Sequence, residues 1–129
     1  MAHITPIQTA KAPQALGPYS QAIKVTQPQE MLFISGQLPL VPETGELVTD
    51  VAQATAQCMR NLAAILHAAG MDFGNVVETT ILLKNIDDFA VVNEVYASFL
   101  QQPYPARLTF QAAALPKDAV VEIKMTAVT

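Results

Sequence analysis

Arg107 is the side chain in this sequence whose type most directly suggests chemistry. Its planar guanidinium can hold a carboxylate through two parallel hydrogen bonds, which a lysine cannot do. It lies in the run from Tyr104 to Val128, which reads as two β-strands joined at Leu115-Pro116-Lys117-Asp118. Arg107, Thr109 and Gln111 share one side of the first strand, and Leu108 and Phe110 the other. Glu122, Lys124 and Thr126 share one side of the second, opposite Val121, Ile123, Met125 and Ala127. Antiparallel pairing around the turn, with an odd register sum, predicts both polar sides on one face and Arg107 beside Glu122. A guanidinium next to a carboxylate on an apolar scaffold is a candidate site. The same pattern also fits a plain ion pair between strands, or Glu122 partnered by Lys124.

Other familiar constellations are missing from the sequence. There is no GxGxxG, P-loop, HExxH or CxxC. His3 falls on an N-terminal arm, read as disordered at that point, and His67 on the surface of a helix. Neither has a second ligand at metal spacing. No Ser or Cys nucleophile is coupled to a histidine. The one cysteine, Cys58, sits on a helical apolar stripe, where a small packing residue is expected. Metal, nucleotide and covalent chemistry are therefore not expected.

Composition narrows the partners. Seven Lys and Arg against eleven Asp and Glu give a net charge of −4 with no basic cluster, which argues against nucleic acid. No apolar run approaches the ~20 residues of a membrane span. The first residues lack the charged start and apolar core of a secretory signal, and one cysteine cannot form an internal disulfide. These features predict a cytoplasmic protein. At 129 residues the chain predicts a single domain spanning 1–129. Apolar residues make up 51% and charged ones only 14%, a balance that predicts self-association.

The elements that must carry Arg107 and Glu122 can be read in order. An arm over 2–18, irregular or a short edge strand, leads to Gly17-Pro18-Tyr19, a turn presenting an aromatic hydroxyl. Strands over 20–26 and 31–38 are predicted as a hairpin through Gln27-Pro28-Gln29, with Ser35-Gly36 marking a bulge or close backbone approach. Thr49 or Asp50 caps a helix with Val51, Cys58, Leu62, Ile65 and Ala69 on its apolar stripe, and Gly70 stops it. Residues 76–83 form a β-branched strand. Asp87 or Asp88 opens a second helix carrying Phe89, Val92, Tyr96 and Phe99, which ends before Pro103 and Pro105. The order is β-β-α-β-α-β-β. It predicts an α+β fold in which two helices cover one face of a mixed sheet. Nothing remains in the chain to cover the other face.

Four runs, GPYSQAI from Gly17, FISGQLPL from Phe33, PAR from Pro105 and ALPKDAVVEIKMTAV from Ala114, resemble in type and order the signatures of the RidA-type reactive-intermediate deaminases, the YjgF-like family. The resemblance spans roughly Gly17 to Val128. It implies a chorismate-mutase-like fold and a homotrimer with pockets at the three subunit junctions. It also implies site roles. Arg107, the arginine of PAR, would bind the substrate carboxylate. Glu122 would orient or activate a water beside an electrophilic carbon. The Tyr19 hydroxyl would bond substrate or water. At Ser35 and Gly36 an exposed backbone N–H would meet a ligand oxygen, and Asn93 matches the asparagine of an NxxY helix segment. Without the resemblance, Tyr19 reads as a turn aromatic, Ser35-Gly36 as an ordinary bulge and Asn93 as an exposed helix residue. Many bacterial members carry a cysteine where this chain has Thr109, which cannot act as a thiolate; the threonine is expected to contact substrate or water.

The activity so implied is cofactor-free hydrolysis of reactive 2-imino and enamine acids to 2-keto acids and ammonia. Imines hydrolyse spontaneously, so positioning and a local electrostatic push suffice. The alternative is a non-catalytic regulatory protein that binds a small 2-imino or 2-keto acid in the same pocket. A ribonuclease activity, attributed to some relatives, is opposed by the acidic balance. A chaperone role is favoured only by the apolar composition.

Overall fold

A computed structural model describes residues 3–129; Met1 and Ala2, where the arm was predicted to begin, lie outside the described residues. The most apolar alternations in the sequence become the two inner strands of its main sheet. β1 (His3–Ile7) and β2 (Ala22–Thr26) form a separate antiparallel ribbon. β3 (Met31–Phe33), α1 (Val51–Ala68), β4 (Val76–Leu83), α2 (Phe89–Ser98), β5 (Ala106–Gln111) and β6 (Val121–Val128) follow in order. The four-stranded sheet runs β3-β6-β4-β5, mixed in direction. The α+β order is as expected, with one additional strand at the N-terminus.

Capping explains the helix boundaries. Asp50 Oδ2 accepts a hydrogen bond from Gln53 N at 3.0 Å, satisfying a donor that the first turn of α1 leaves free. Gly70 follows the last turn at φ +74°, where a side chain is disfavoured. The inner face of α1 buries Ala54, Cys58, Met59, Leu62 and Leu66. Ala69 of the predicted stripe is exposed. The chain enters α2 through a 3-10 turn at Ile86–Asp88, and the side chain that caps this turn belongs to Asn85, which accepts from Asp87 N at 2.9 Å. Asp88 makes no capping bond.

Two predicted pairings are overturned. Residues 20–26 and 31–38 do not form a hairpin. β2 pairs with β1, so His3 lies in a strand opposite Thr26, while β3 pairs with β6. Gln27 at φ +55° turns the chain out of β2. Bonds from Gln29 N to Thr129 O and from Thr129 N to Glu30 O then tie the chain to the C-terminus instead. The second correction concerns β5 and β6, which do not touch as neighbours because β4 lies between them. β5 runs parallel to β4, pairing Arg107 with Thr79, and β6 runs antiparallel to β4, pairing Glu122 with Leu82. α2 supplies the crossover that a parallel pair requires. The segment 112–120 is not a tight hairpin turn but passes over the end of β4. Ala112 N bonds Leu83 O at 2.9 Å, and Lys84 N bonds Val120 O at 3.0 Å.

Thr79, Ile81 and Leu83 of β4, with Val121, Ile123 and Met125 of β6, point under the helices and are buried. The other face bears Met31, Phe33, Leu108 and Phe110, which are 55%, 68%, 60% and 44% exposed. An uncovered face this apolar is unusual for a sheet that ends in water.

The Ser35-Gly36 interruption is a bulge, as expected. From the Phe33–Thr126 pair to the Gln37–Ile123 bridge, the edge chain advances four residues while β6 advances three.

Candidate functional site

Arg107 leaves β5 on the helix-covered side of the sheet. Its Nη1 donates to Asn93 Oδ1 at 2.7 Å. The rings of Tyr19, Phe89 and Tyr96 lie with centroids 5.5, 5.6 and 5.4 Å from its Cζ. The guanidinium is thus held in one orientation by a hydrogen bond and three aromatic faces. Its Nη2 and Nε donate no hydrogen bond among the described residues. Burial lowers its pKa, and the proximity of Tyr96 and Tyr19 opposes that shift. The group remains a half-buried cation with free donors, which is what a small carboxylate needs.

Each member of this cluster has a local reason for its place. Phe89, Asn93 and Tyr96 stand at i, i+4 and i+7 of α2, so one helical face carries all three over β5. Tyr96 is anchored below by donating to Thr79 Oγ1 at 2.9 Å, on the strand next to β5. Burial pushes its pKa up to about 12, against the Thr79 bond and the Arg107 charge, so it stays neutral near pH 7. Tyr19 arrives from the other direction. Its N–H bonds Gly17 O at 2.8 Å, closing the turn. Ser20 then docks the segment beside β5, its N–H on Pro105 O at 3.2 Å and its hydroxyl on Tyr104 O. Thr109 lies two residues along the same side of β5, and its Oγ1 is buried with no hydrogen-bond partner among the described residues.

Glu122 is elsewhere. Its side chain points to the uncovered face, in register with Leu82, whereas Arg107 is in register with Thr79 on the covered face. The predicted contact between Arg107 and Glu122 is therefore overturned. One strand separates them, and alternation sends their side chains to opposite faces. Nor does Glu122 pair with Lys124; the ion pair among the described residues is Lys84–Asp118 at 2.9 Å. The neighbour of Glu122 is the bulge. A Cβ built on Gly36 would lie 2.1 Å from Glu122 Oε2, so the carboxylate occupies the space that a side chain there would fill. Ser35, beside it, is exposed.

The candidate residues thus form two groups in one chain. Arg107, Asn93, Tyr19 and Thr109 gather on the covered face, and Glu122, Ser35 and Gly36 on the open one. The sequence reading missed Phe89 and Tyr96 as parts of the site, taking them for an apolar stripe. Their spacing around Asn93 was the available signal. Cys58 packs as expected, buried and donating to Gln37 O at 3.3 Å. Burial, and then the Glu122 charge, push its thiol up to about 12, so it is no nucleophile. His67 is exposed on α1. A cleft of about 700 Å³ is lined by Tyr19 with Ile4, Pro6, Gly17, Gln102 and Tyr104 among others. Arg107 does not line it, and it lacks a cation to bind an acid.

Residues 9–129 match the family model described as Endoribonuclease L-PSP. The chain is 51% identical over 122 residues to the RutC family protein y4sK of Sinorhizobium fredii, covering 94% of each. It is 48% identical over 123 residues to the 2-iminobutanoate/2-iminopropanoate deaminase of Homo sapiens, covering 95% of this chain and 88% of the human one. Among solved structures, it is similar to RidA from an Antarctic Psychrobacter bacterium, with 46% identity, a TM-score of 0.75 and coverage of 97% of this chain and 99% of that one.

Proposed function

Because this chain belongs to the RidA/YjgF-like family, the one whose model carries the Endoribonuclease L-PSP description, we propose that it hydrolyses reactive 2-imino and enamine acids to 2-keto acids and ammonia. The observation that carries this reading is the half-buried Arg107 guanidinium, fixed at Nη1 by Asn93 and flanked by three rings, with Nη2 and Nε left to a ligand. The relatives named 2-iminobutanoate/2-iminopropanoate deaminase, among them the bovine protein at 50% identity, support the same chemistry.

The steps follow from the site. Arg107 grips the substrate carboxylate and thereby fixes the adjacent C=N carbon. A water oriented by Glu122 adds to that carbon, giving one of its protons to the carboxylate, which passes it to the imine nitrogen. The resulting carbinolamine gives its hydroxyl proton to Glu122, which passes it to the amine nitrogen as the C–N bond breaks. Ammonia leaves, and a keto acid remains. No cofactor is required for any step.

Arg107 and Glu122 lie on opposite faces of one chain, so this reaction requires two copies. We assign each pocket to a junction, with Arg107, Asn93, Tyr19 and Thr109 from one chain and Glu122, Ser35 and Gly36 from the next. The uncovered face bearing Met31, Phe33, Leu108 and Phe110 supports closure of such junctions into a homotrimer. The whole chain then acts as one cytoplasmic domain without nucleic-acid or membrane partners; no described helix is long and apolar enough to cross a membrane.

Mixing variants tests the activity and the shared pocket together. With a pyridoxal-phosphate dehydratase and serine or threonine as the imine source, the wild-type protein accelerates keto-acid formation, and Arg107→Ala and Glu122→Gln each cut the acceleration about 100-fold. Co-assembly of the two variants restores about one quarter of the wild-type rate, the share of junctions with both side chains intact under random mixing. No acceleration by the wild type removes the enzyme reading. No recovery on mixing removes the shared pocket. The sensor reading separates at Glu122→Gln, which keeps 2-keto acid affinity in either case but loses rate only in a hydrolase.

A further inference from the structure

We propose that Gly36 is a positioning residue for Glu122: the bulge and the missing side chain at position 36 together create the seat in which the carboxylate is held. The inference rests on the water-activating role given above to Glu122. Three observations carry it. The extra residue between the Phe33–Thr126 pair and the Gln37–Ile123 bridge pushes the edge chain against β6 at the height of Glu122. A Cβ on Gly36 would come within 2.1 Å of Oε2, 3.0 Å of Cδ and 3.3 Å of Cγ of Glu122, so the whole end of the side chain lies along the glycine. The edge chain cannot retreat to make room. Gln37 N and O are bonded to Ile123 O and N at 2.8 and 3.1 Å, the Gln37 carbonyl also accepts from Cys58 Sγ, and Ile34 N holds Met125 O at 3.0 Å.

The glycine here is not needed for an unusual backbone, since its φ lies outside the left-handed range where Gly45 and Gly70 fall. Its role is steric. Any larger residue displaces the carboxylate, because a pinned backbone does not yield and a flexible glutamate does. Gly36 therefore acts on the reaction through Glu122, separately from any contact of its N–H with a ligand.

The experiment compares Gly36→Ala, Glu122→Gln, the double variant, and Gly36→Ala combined with Glu122→Asp, all in the full-length assembly. Steady-state keto-acid formation gives kcat and KM, and calorimetric titration with pyruvate gives ligand affinity. We expect Gly36→Ala to lower kcat about 100-fold, to the level of Glu122→Gln, the scale of a lost general base. KM and pyruvate affinity stay within about threefold of wild type, because the Arg107 grip is untouched. The double variant is no slower than either single one. Aspartate, shorter by one methylene, clears the added methyl and regains about tenfold over Gly36→Ala alone.

A Gly36→Ala protein with wild-type kcat overturns the inference while leaving the role of Glu122 intact. So does a multiplicative loss in the double variant. Pyruvate binding weakened more than about tenfold at unchanged kcat shows instead that Gly36 acts by touching the ligand. Wild-type kcat in Glu122→Gln overturns the role of Glu122 itself, and the inference with it.

Discussion

Replacing Arg107 by lysine keeps the charge and removes the geometry, so it isolates what the fixed guanidinium contributes. In the wild type, Nη1 is committed to Asn93 at 2.7 Å while two nitrogens remain for a carboxylate. A single ammonium cannot serve Asn93 and both carboxylate oxygens at once. At least one charge-assisted hydrogen bond is lost, about 1.5–3 kcal/mol. The cation–π contacts of the guanidinium with Tyr19, Phe89 and Tyr96 are also weakened, by about 0.5–1 kcal/mol. Together these amount to about 2–4 kcal/mol, or about 30- to 1,000-fold in kcat/KM. The carboxylate is gripped before and during water addition alike, so the loss falls mainly on KM. Initial rates of keto-acid formation, at varied serine feed to the dehydratase, give both constants. An Arg107→Lys protein within about threefold of wild-type kcat/KM would refute the reasoning, because charge alone would then suffice.

Further outcomes follow from single contacts. Tyr96→Phe removes a buried hydroxyl and strands that of Thr79, which is 1% exposed, so urea unfolding should show a loss of about 1–3 kcal/mol. Thr109→Val replaces a buried hydroxyl that has no partner with a methyl of similar size; stability should hold or rise by about 1 kcal/mol, and a clear loss would reveal a partner. Cys58 and Tyr96 are both raised to about 12 in the folded chain, from 9.0 and 10.0. The native state keeps protons there that the unfolded chain releases, so this contribution is complete below pH 9.0 and drains away as pH climbs towards about 12. The unfolding free energy against pH should fall over that window by several kcal/mol, about 1.4 kcal/mol per pH unit for each group, and less steeply in Cys58→Ala.

The parts legible in the sequence were those set by local rules. α1 announced itself through Asp50 and Gly70, and the bulge through a glycine inside a strand pattern. Arg107, Asn93 and Tyr19 were named by their motifs and do meet. What failed was partner choice. Alternation in 106–111 and 121–128 gives each strand two faces, yet contains nothing that says which strand lies beside it. The crossover through α2 was the neglected constraint, because a strand-helix-strand order favours parallel neighbours and leaves β5 at the edge. The same error placed Arg107 and Glu122 on one face. Phe89 and Tyr96 were missed because aromatic residues on a helix stripe look alike whether they fill a core or flank a cation.

β4 contributes no residue to either half of the proposed pocket, yet it is the common ruler for both. Thr79 fixes the height of Arg107 on one flank, and Leu82 that of Glu122 on the other. A substitution that slides or tilts this strand shifts the proposed acid clamp and the proposed water-activating carboxylate at once. Random mutagenesis that alters substrate size preference should therefore recover changes in Val76–Leu83 as well as in the pocket lining. The inner strand is the tuning element that a search confined to polar groups would overlook.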